Sequence, residues 1–272
     1  MKRYGIEDLL QLMACLRDAV HGCPWDLQQS YEDIVPFTLE EAYEVADAIE
    51  RGAFDELPGE LGDLLFQVVF YARIAEEEGR FDFPEVVHQL VSKLLIRHPH
   101  VFPDATLASF GKADDASLDE IKGRWESQKA RERSARGQQG VFDDVPVNLP
   151  ALSRAQKIQK RARGVGYDWA DPDGVLEKLT EELAELQSAR CEGAPEQVVE
   201  ELGDLLFTVV SLGRHLGVDN EQALRLATDK FTRRMQTVLT IAEADSIDLT
   251  TADTALKDEL WNRAKAHQHT DT

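Results

Sequence analysis

At 272 residues the chain is long enough for about two domains, and its 43% hydrophobic content can fill a core in each. The formal net charge of -21, from 51 acidic against 30 basic residues, argues against duplex nucleic acid, which needs its phosphates neutralised by Lys and Arg, and against anionic membrane surfaces. The three cysteines, Cys15, Cys23 and Cys191, form no CxxC pair, which disfavours a disulfide framework or zinc knuckle and suits reduced cytoplasmic thiols.

From the N-terminus onward, Glu7, Asp8 and Arg17 interrupt the apolar run that a signal peptide would need. No later stretch reaches the roughly 18 apolar residues of a membrane span. The apolar spacing is helical almost throughout, so the expected class is all-α. The first half is expected to hold helices at about 5–20, 34–52, 57–79 and 84–97, with a further one near 117–133. Residues 131–150 collect Arg136, Gly137, Gln138, Gln139, Gly140 and Pro146 and read as a linker between domains at 1–130 and 151–272. The second half repeats the order, with helices at about 150–163, 173–191, 195–216, 220–243 and 251–267. Pro58 and Pro195 stand close to where a first helical turn tolerates proline. Gly164-Val165-Gly166 has no strand before it and reads as a turn rather than a phosphate loop.

Within this order one block occurs twice. Glu60-Leu61-Gly62-Asp63-Leu64-Leu65-Phe66-Gln67-Val68-Val69 returns at a constant offset of 141 as Glu201-Leu202-Gly203-Asp204-Leu205-Leu206-Phe207-Thr208-Val209-Val210, nine of ten positions identical. Upstream of each copy, with fifteen residues intervening, stands a second acidic cluster, Glu40-Glu41-x-x-Glu44 and Glu181-Glu182-x-x-Glu185. Repeats usually keep apolar positions and let surface charge drift, so acids held at fixed spacing point to chemistry. At about 100° per residue, Glu40, Glu41 and Glu44 share one side of their helix, and Glu60 and Asp63 stand about 60° apart on the next. Two antiparallel helices would bring the five carboxylates together. Like charges that close repel and raise one another's pKa unless a divalent cation neutralises them, and oxygen ligands without His or Cys favour Mg²⁺, with Mn²⁺ as the alternative. Leu61, Leu64, Leu65, Val68 and Ala72 form the adjoining stripe, expected to pack on neighbouring helices. Gly62 and Gly203, each costing about 1 kcal/mol inside a helix, are expected to mark close helix–helix approach. The runs Glu76-Glu77-Glu78 and Glu50 read as solvated surface.

Cationic and aromatic residues also recur downstream. Lys93 and Arg97 match Lys230 and Arg234, and Trp125 and Lys129 match Trp261 and Lys265, every pair four residues apart and so on one helix face. Carboxylates that hold cations, cations and Lys/Arg that hold phosphate oxygens, and a Trp that offers a base or ribose a flat surface together suit a metal–polyphosphate complex. His98, His100, His267 and His269 read as a loop pair and a tail rather than as ligands.

The EExxE and ExxD clusters with LGDLLF in both halves resemble the MazG family of nucleoside triphosphate pyrophosphohydrolases, within the all-α NTP pyrophosphatase superfamily. His21-Gly22-Cys23-Pro24-Trp25-Asp26 and Arg97-His98-Pro99-His100-Val101-Phe102 look like its N-terminal domain, and Gly166-Tyr167-Asp168-Trp169 and Lys230-Phe231-x-Arg233-Arg234 like its C-terminal one. The resemblance implies two tandem helical-bundle domains related by duplication, a homodimer, and Mg²⁺-dependent hydrolysis of NTPs and dNTPs to monophosphate and pyrophosphate. It implies Glu181, Glu182, Glu185, Glu201 and Asp204 as metal ligands in the second half, with Glu182 or Glu185 orienting the attacking water and Lys230, Arg234, Trp261 and Lys265 contacting the nucleotide. The first half offers the corresponding metal set, Glu40, Glu41, Glu44, Glu60 and Asp63, the catalytic pair Glu41 and Glu44, and the substrate set Lys93, Arg97, Trp125 and Lys129. The family often carries a Lys shortly before the second ExxD; here that stretch is Glu196-Gln197-Val198-Val199-Glu200. Two alternatives stay open: a narrower substrate such as dUTP or a phosphoribosyl nucleotide, and one half serving dimer assembly only.

Overall fold

A computed structural model describes residues 3–111, 117, 120–121, 123–124, 128, 140–193 and 195–268. All regular structure among them is helical, and none of these helices is long and apolar enough to cross a membrane. The chain divides into two compact units, Met1–Ala130 and Arg131–Thr272.

The first unit contains α1 (Ile6–Leu16), α2 (Pro24–Gln28), α3 (Tyr31–Glu50), α4 (Leu57–Glu77), α5 (Phe83–Arg97) and a 3₁₀ turn at Leu107–Ser109. The short connection between α3 and α4 makes them an antiparallel hairpin, the most extensive helix pair of the unit. Met13, Ile34, Val69, Phe70 and Ile74 form its core. The helix expected at 5–20 stops at Leu16, because the Asp18 carboxylate accepts the N–H groups of Val20 and His21 and turns the chain. A Cβ at Gly22 would meet backbone oxygens at 2.5 Å, so that turn requires glycine. Pro24 then opens α2, a single turn too short to show apolar periodicity. α3 starts three residues earlier than its apolar pattern suggests, because Ser30 and Asp33 cap one another reciprocally.

The second unit contains α6 (Ala151–Gly164), α7 (Pro172–Glu192), α8 (Pro195–His215), α9 (Asn220–Ala244) and α10 (Thr254–Gln268). α7 and α8 form the hairpin equivalent to α3 and α4, α6 packs on α8, and α9 pairs with α10. Val238, Ile241, Ala242, Leu260 and Ala264 make up the α9–α10 core. Gly166, at φ +86°, ends α6 in the expected turn.

An arginine clasp braces each hairpin. Buried Arg17 donates to both carboxylate oxygens of Glu77 and to the carbonyls of Asp26 and Gln29, tying the loop after α1 and the end of α2 to α4. In the second unit Arg214 and His215 hold Asp168, fixing the loop between α6 and α7 to the end of α8.

Four expectations are corrected. Of the expected stripe Ala72 is buried and Leu64 half-buried, but Leu61, Leu65 and Val68 are exposed, since α4 turns Val69, Phe70, Ile74 and Ala75 into the core beside Ala72. A Cβ on Gly62 or Gly203 would meet nothing within 4 Å, so neither glycine marks a close helix approach. Glu77 is not plain surface, because Arg17 recruits it. The linker expected at 131–150 is docked at its described end: Val145 is buried and Asp144 pairs with Arg161 of α6. The helix expected near 117–133 falls largely outside the described residues.

Candidate functional site

In α7 the buried residues Val175, Glu182 and Ala189 are spaced seven apart, two helical turns, so the glutamate sits in the line that faces α8. Ile34 and Ala48 of α3 are buried at the equivalent places, with Glu41 between them and half-buried. On the facing helices, Glu60 and Asp63 of α4 and Glu201 and Asp204 of α8 meet these glutamates. Glu41, Glu60 and Asp63 present carboxylate oxygens within 4.8 Å of one another, and Glu182, Glu201 and Asp204 do the same. Both groups consist of oxygen donors, and such a set fits a hard divalent cation.

The electrostatics match a gathering of like charges. Burial, then the charges of Glu44 and Asp63 and a hydrogen bond with Glu44, push the Glu41 carboxyl above its ordinary range. Glu60 is raised by burial and by Glu44 and Asp63. Glu201 is raised by burial, Glu185, Glu182, Glu200 and Asp204. Glu44 and Glu185 therefore adjoin the two groups, each one turn beyond the central glutamate. Glu40 and Glu181 do not join the three-carboxylate groups. Each stands about 100° around the helix from the buried line, and Glu181 turns instead to Lys178 at 2.8 Å.

Lys178 is the residue that recurrence in the sequence does not reveal. Its Nζ also lies 2.9 Å from Glu182, whose side chain is 6% exposed. A signal exists in the chain, since a Lys four residues before a Glu lies on the same helix face, but the cations that recur in both halves all stand downstream of the acids. Those downstream residues are placed as follows. Arg234 lies over the Trp261 ring at 5.9 Å, and Phe231 packs against the same ring with centroids 5.4 Å apart. Lys230 is exposed on α9 and Lys265 half-buried on α10; α9 also packs on α8, the helix that carries Glu201 and Asp204. In the first unit Lys93 and Arg97 are half-buried on α5, which packs on α4, whereas Trp125 and Lys129 lie outside the described residues. His98 donates from Nδ1 to the Leu94 carbonyl at 2.7 Å, at the end of α5, and neighbours His100.

Residues 29–102 and 171–239 match the model of the MazG nucleotide pyrophosphohydrolase domain, so each match spans one carboxylate group and the KxxxR pair that follows it. The nucleoside triphosphate pyrophosphohydrolase of Escherichia coli K12 is 47% identical over 97% of this chain and 98% of its own length. The nucleoside triphosphate pyrophosphohydrolase/pyrophosphatase MazG of Thermotoga maritima is 41% identical over 99% of this chain and 100% of its own. A solved MazG-related protein from Thermotoga maritima aligns with 46% of this chain and 99% of its own at 26% identity, with a TM-score of 0.38, too low to bear on the fold. With the domain matched once over each carboxylate group, and relatives alike from end to end, the chain belongs to the MazG nucleotide pyrophosphohydrolase family.

Proposed function

We propose that this nucleoside triphosphate pyrophosphohydrolase depends on Mg²⁺, accepts Mn²⁺ in its place, and hydrolyses NTPs and dNTPs of any base at the α-phosphorus to monophosphate and pyrophosphate. The observation that carries the proposal is the pair of carboxylate groups, each with oxygens converging within 4.8 Å.

Glu182, Glu201 and Asp204, with Glu185 beside them, would hold the cation in the second half, and Glu41, Glu60 and Asp63, with Glu44, in the first. When bound, the cation neutralises phosphate oxygens and polarises the bond to be broken. Exposed Glu185 orients the attacking water and accepts its proton; Glu44 is its counterpart. Lys230, Arg234 and Lys265 bind phosphate oxygens and stabilise the charge that develops around phosphorus. Trp261, held by Phe231 and Arg234, offers a stacking face that every base can use, which supports broad base specificity. The second half is the principal catalyst, a reading supported by the deeper burial of Glu182 than of Glu41. The exposed apolar residues Leu61, Leu65, Val68, Leu202, Leu206 and Val209 support a homodimer that covers them. The free thiols of Cys15, Cys23 and Cys191 support a reducing, cytoplasmic setting.

The test is release of pyrophosphate against orthophosphate from each NTP and dNTP, with Mg²⁺ and after its removal by chelator. Metal-dependent pyrophosphate with a monophosphate co-product from all bases is expected. Orthophosphate alone, or turnover unaffected by chelator, would refute the mechanism.

A further inference from the structure

The two halves differ one turn before the central glutamate. At the constant offset of 141, Phe37 stands where the second half has Lys178. Phe37 is committed to packing: it lies against the core of the first unit and edge-on to Trp25, with ring centroids 5.9 Å apart. Lys178 is committed to charge, its ammonium bridging Glu181 at 2.8 Å and Glu182 at 2.9 Å. The charged neighbours that act on Glu41 and Glu60 are other carboxylates, Glu44, Asp63, Glu40 and Glu56. One group of acids thus has a cation of the chain's own in contact with it, whereas among the described residues Glu41, Glu60 and Asp63 show no such ion pair.

We propose that Lys178 is a resident counterion of the second carboxylate group, which Glu182 gives up when a divalent cation binds, so that the two halves of one chain take up the same cation with different affinity. The inference rests on the metal-binding reading above. A divalent cation approaching Glu182 must either displace the ammonium or lie beside it. Displacement loses the charge-assisted contact with Glu182, and coexistence sets three positive charges within a few ångströms; either weakens binding. Lysine suits the role because its charge sits at the end of a flexible four-carbon stem, so it can leave Glu182 without any shift of α7. Phe37 sets no such toll on the first group. The same substitution also gives the second half a defence while empty, since the ammonium offsets the repulsion that Glu182, Glu201 and Asp204 would otherwise exert on the hairpin.

The experiment is a titration of the full chain with Mn²⁺ in the absence of nucleotide, following free Mn²⁺ by electron paramagnetic resonance. Two classes of site are expected, the tighter removed by Glu41→Gln and the weaker by Glu182→Gln. Lys178→Met and, independently, Lys178→Gln tighten the weaker class by on the order of tenfold and leave the tighter one unchanged, while Lys178→Arg, which keeps the cation, leaves the weaker class weak. Circular dichroism of the three Lys178 variants checks that the helices are intact. Equal affinities of the two halves in the wild type, or no tightening in either neutral variant, would overturn the proposal. Mn²⁺ binding that neither Glu→Gln change reduces would overturn the metal reading itself, and this inference with it.

Discussion

Glu41 and Glu182 occupy the same place in two copies of one helical hairpin, yet their surroundings have diverged. Around Glu41 the neighbours are carboxylates and an aromatic residue turned into the core; Glu182 has a lysine in contact with it, and the central carboxylate is only 4% exposed. Duplication kept the ligand set and changed the charge balance and the dielectric around it. Equivalent acids therefore need not be equally strong ligands or equally good bases, because burial and neighbouring charge set both.

The sharpest way to break the comparison is to remove the central carboxylate from each half in turn. Glu182→Gln is expected to lower kcat/KM for NTP hydrolysis by about 10²–10⁴-fold, and Glu41→Gln by far less; undiminished turnover in Glu182→Gln would reverse the assignment. A second comparison concerns the clasps. Arg17→Met takes one cation from Glu77, which keeps Arg73, and one donor from two carbonyls, and Arg214→Met leaves Asp168 with His215, so each should destabilise its own unit by about 2 kcal/mol, read as a calorimetric transition that moves for one unit and not the other. A smaller effect is expected of Trp261→Ala, which should raise KM about tenfold for every base alike, in keeping with lost stacking; a rise confined to one base would point to a base-reading pocket instead. The smallest effect is an acid limb in stability. The Arg214 guanidinium, followed by His215, holds the Asp168 carboxyl below its usual range against the opposing effect of burial. Its contribution is therefore present above the unfolded value of about 3.9 and is lost as pH falls through the folded value. Asp168→Asn should flatten the urea midpoint against pH in that window, and an unchanged acid limb would remove Asp168 as its source.

Most of the hairpin architecture is legible in the sequence. The helices α3, α4, α7 and α8 are long enough for their apolar spacing to read as helical, and the repeated acids set their own register through the offset. The short α2 is not legible, since one turn has no period to detect. The clasp of Arg17 on Glu77 is hidden because sixty residues separate the partners and because three consecutive glutamates look like solvated surface. Lys178 escapes because nothing in the first half repeats it: recurrence points to what duplication kept and passes over what it changed. Leu61, Leu65 and Val68 do share a face, but that face is exposed, and periodicity alone cannot tell a covered stripe from an open one.

The seven-residue line of Val175, Glu182 and Ala189 has a consequence for how the domain can evolve. A bundle would ordinarily place an aliphatic residue at the middle position, and Glu182→Leu would suit the packing of α7 on α8 better than the wild-type side chain does when the site is empty. Selection for firmness and selection for turnover therefore act in opposite directions on one codon. Drift at that position would yield a robust, inert bundle rather than an unfolded chain, so a duplicate copy can lose its chemistry while remaining a sound scaffold.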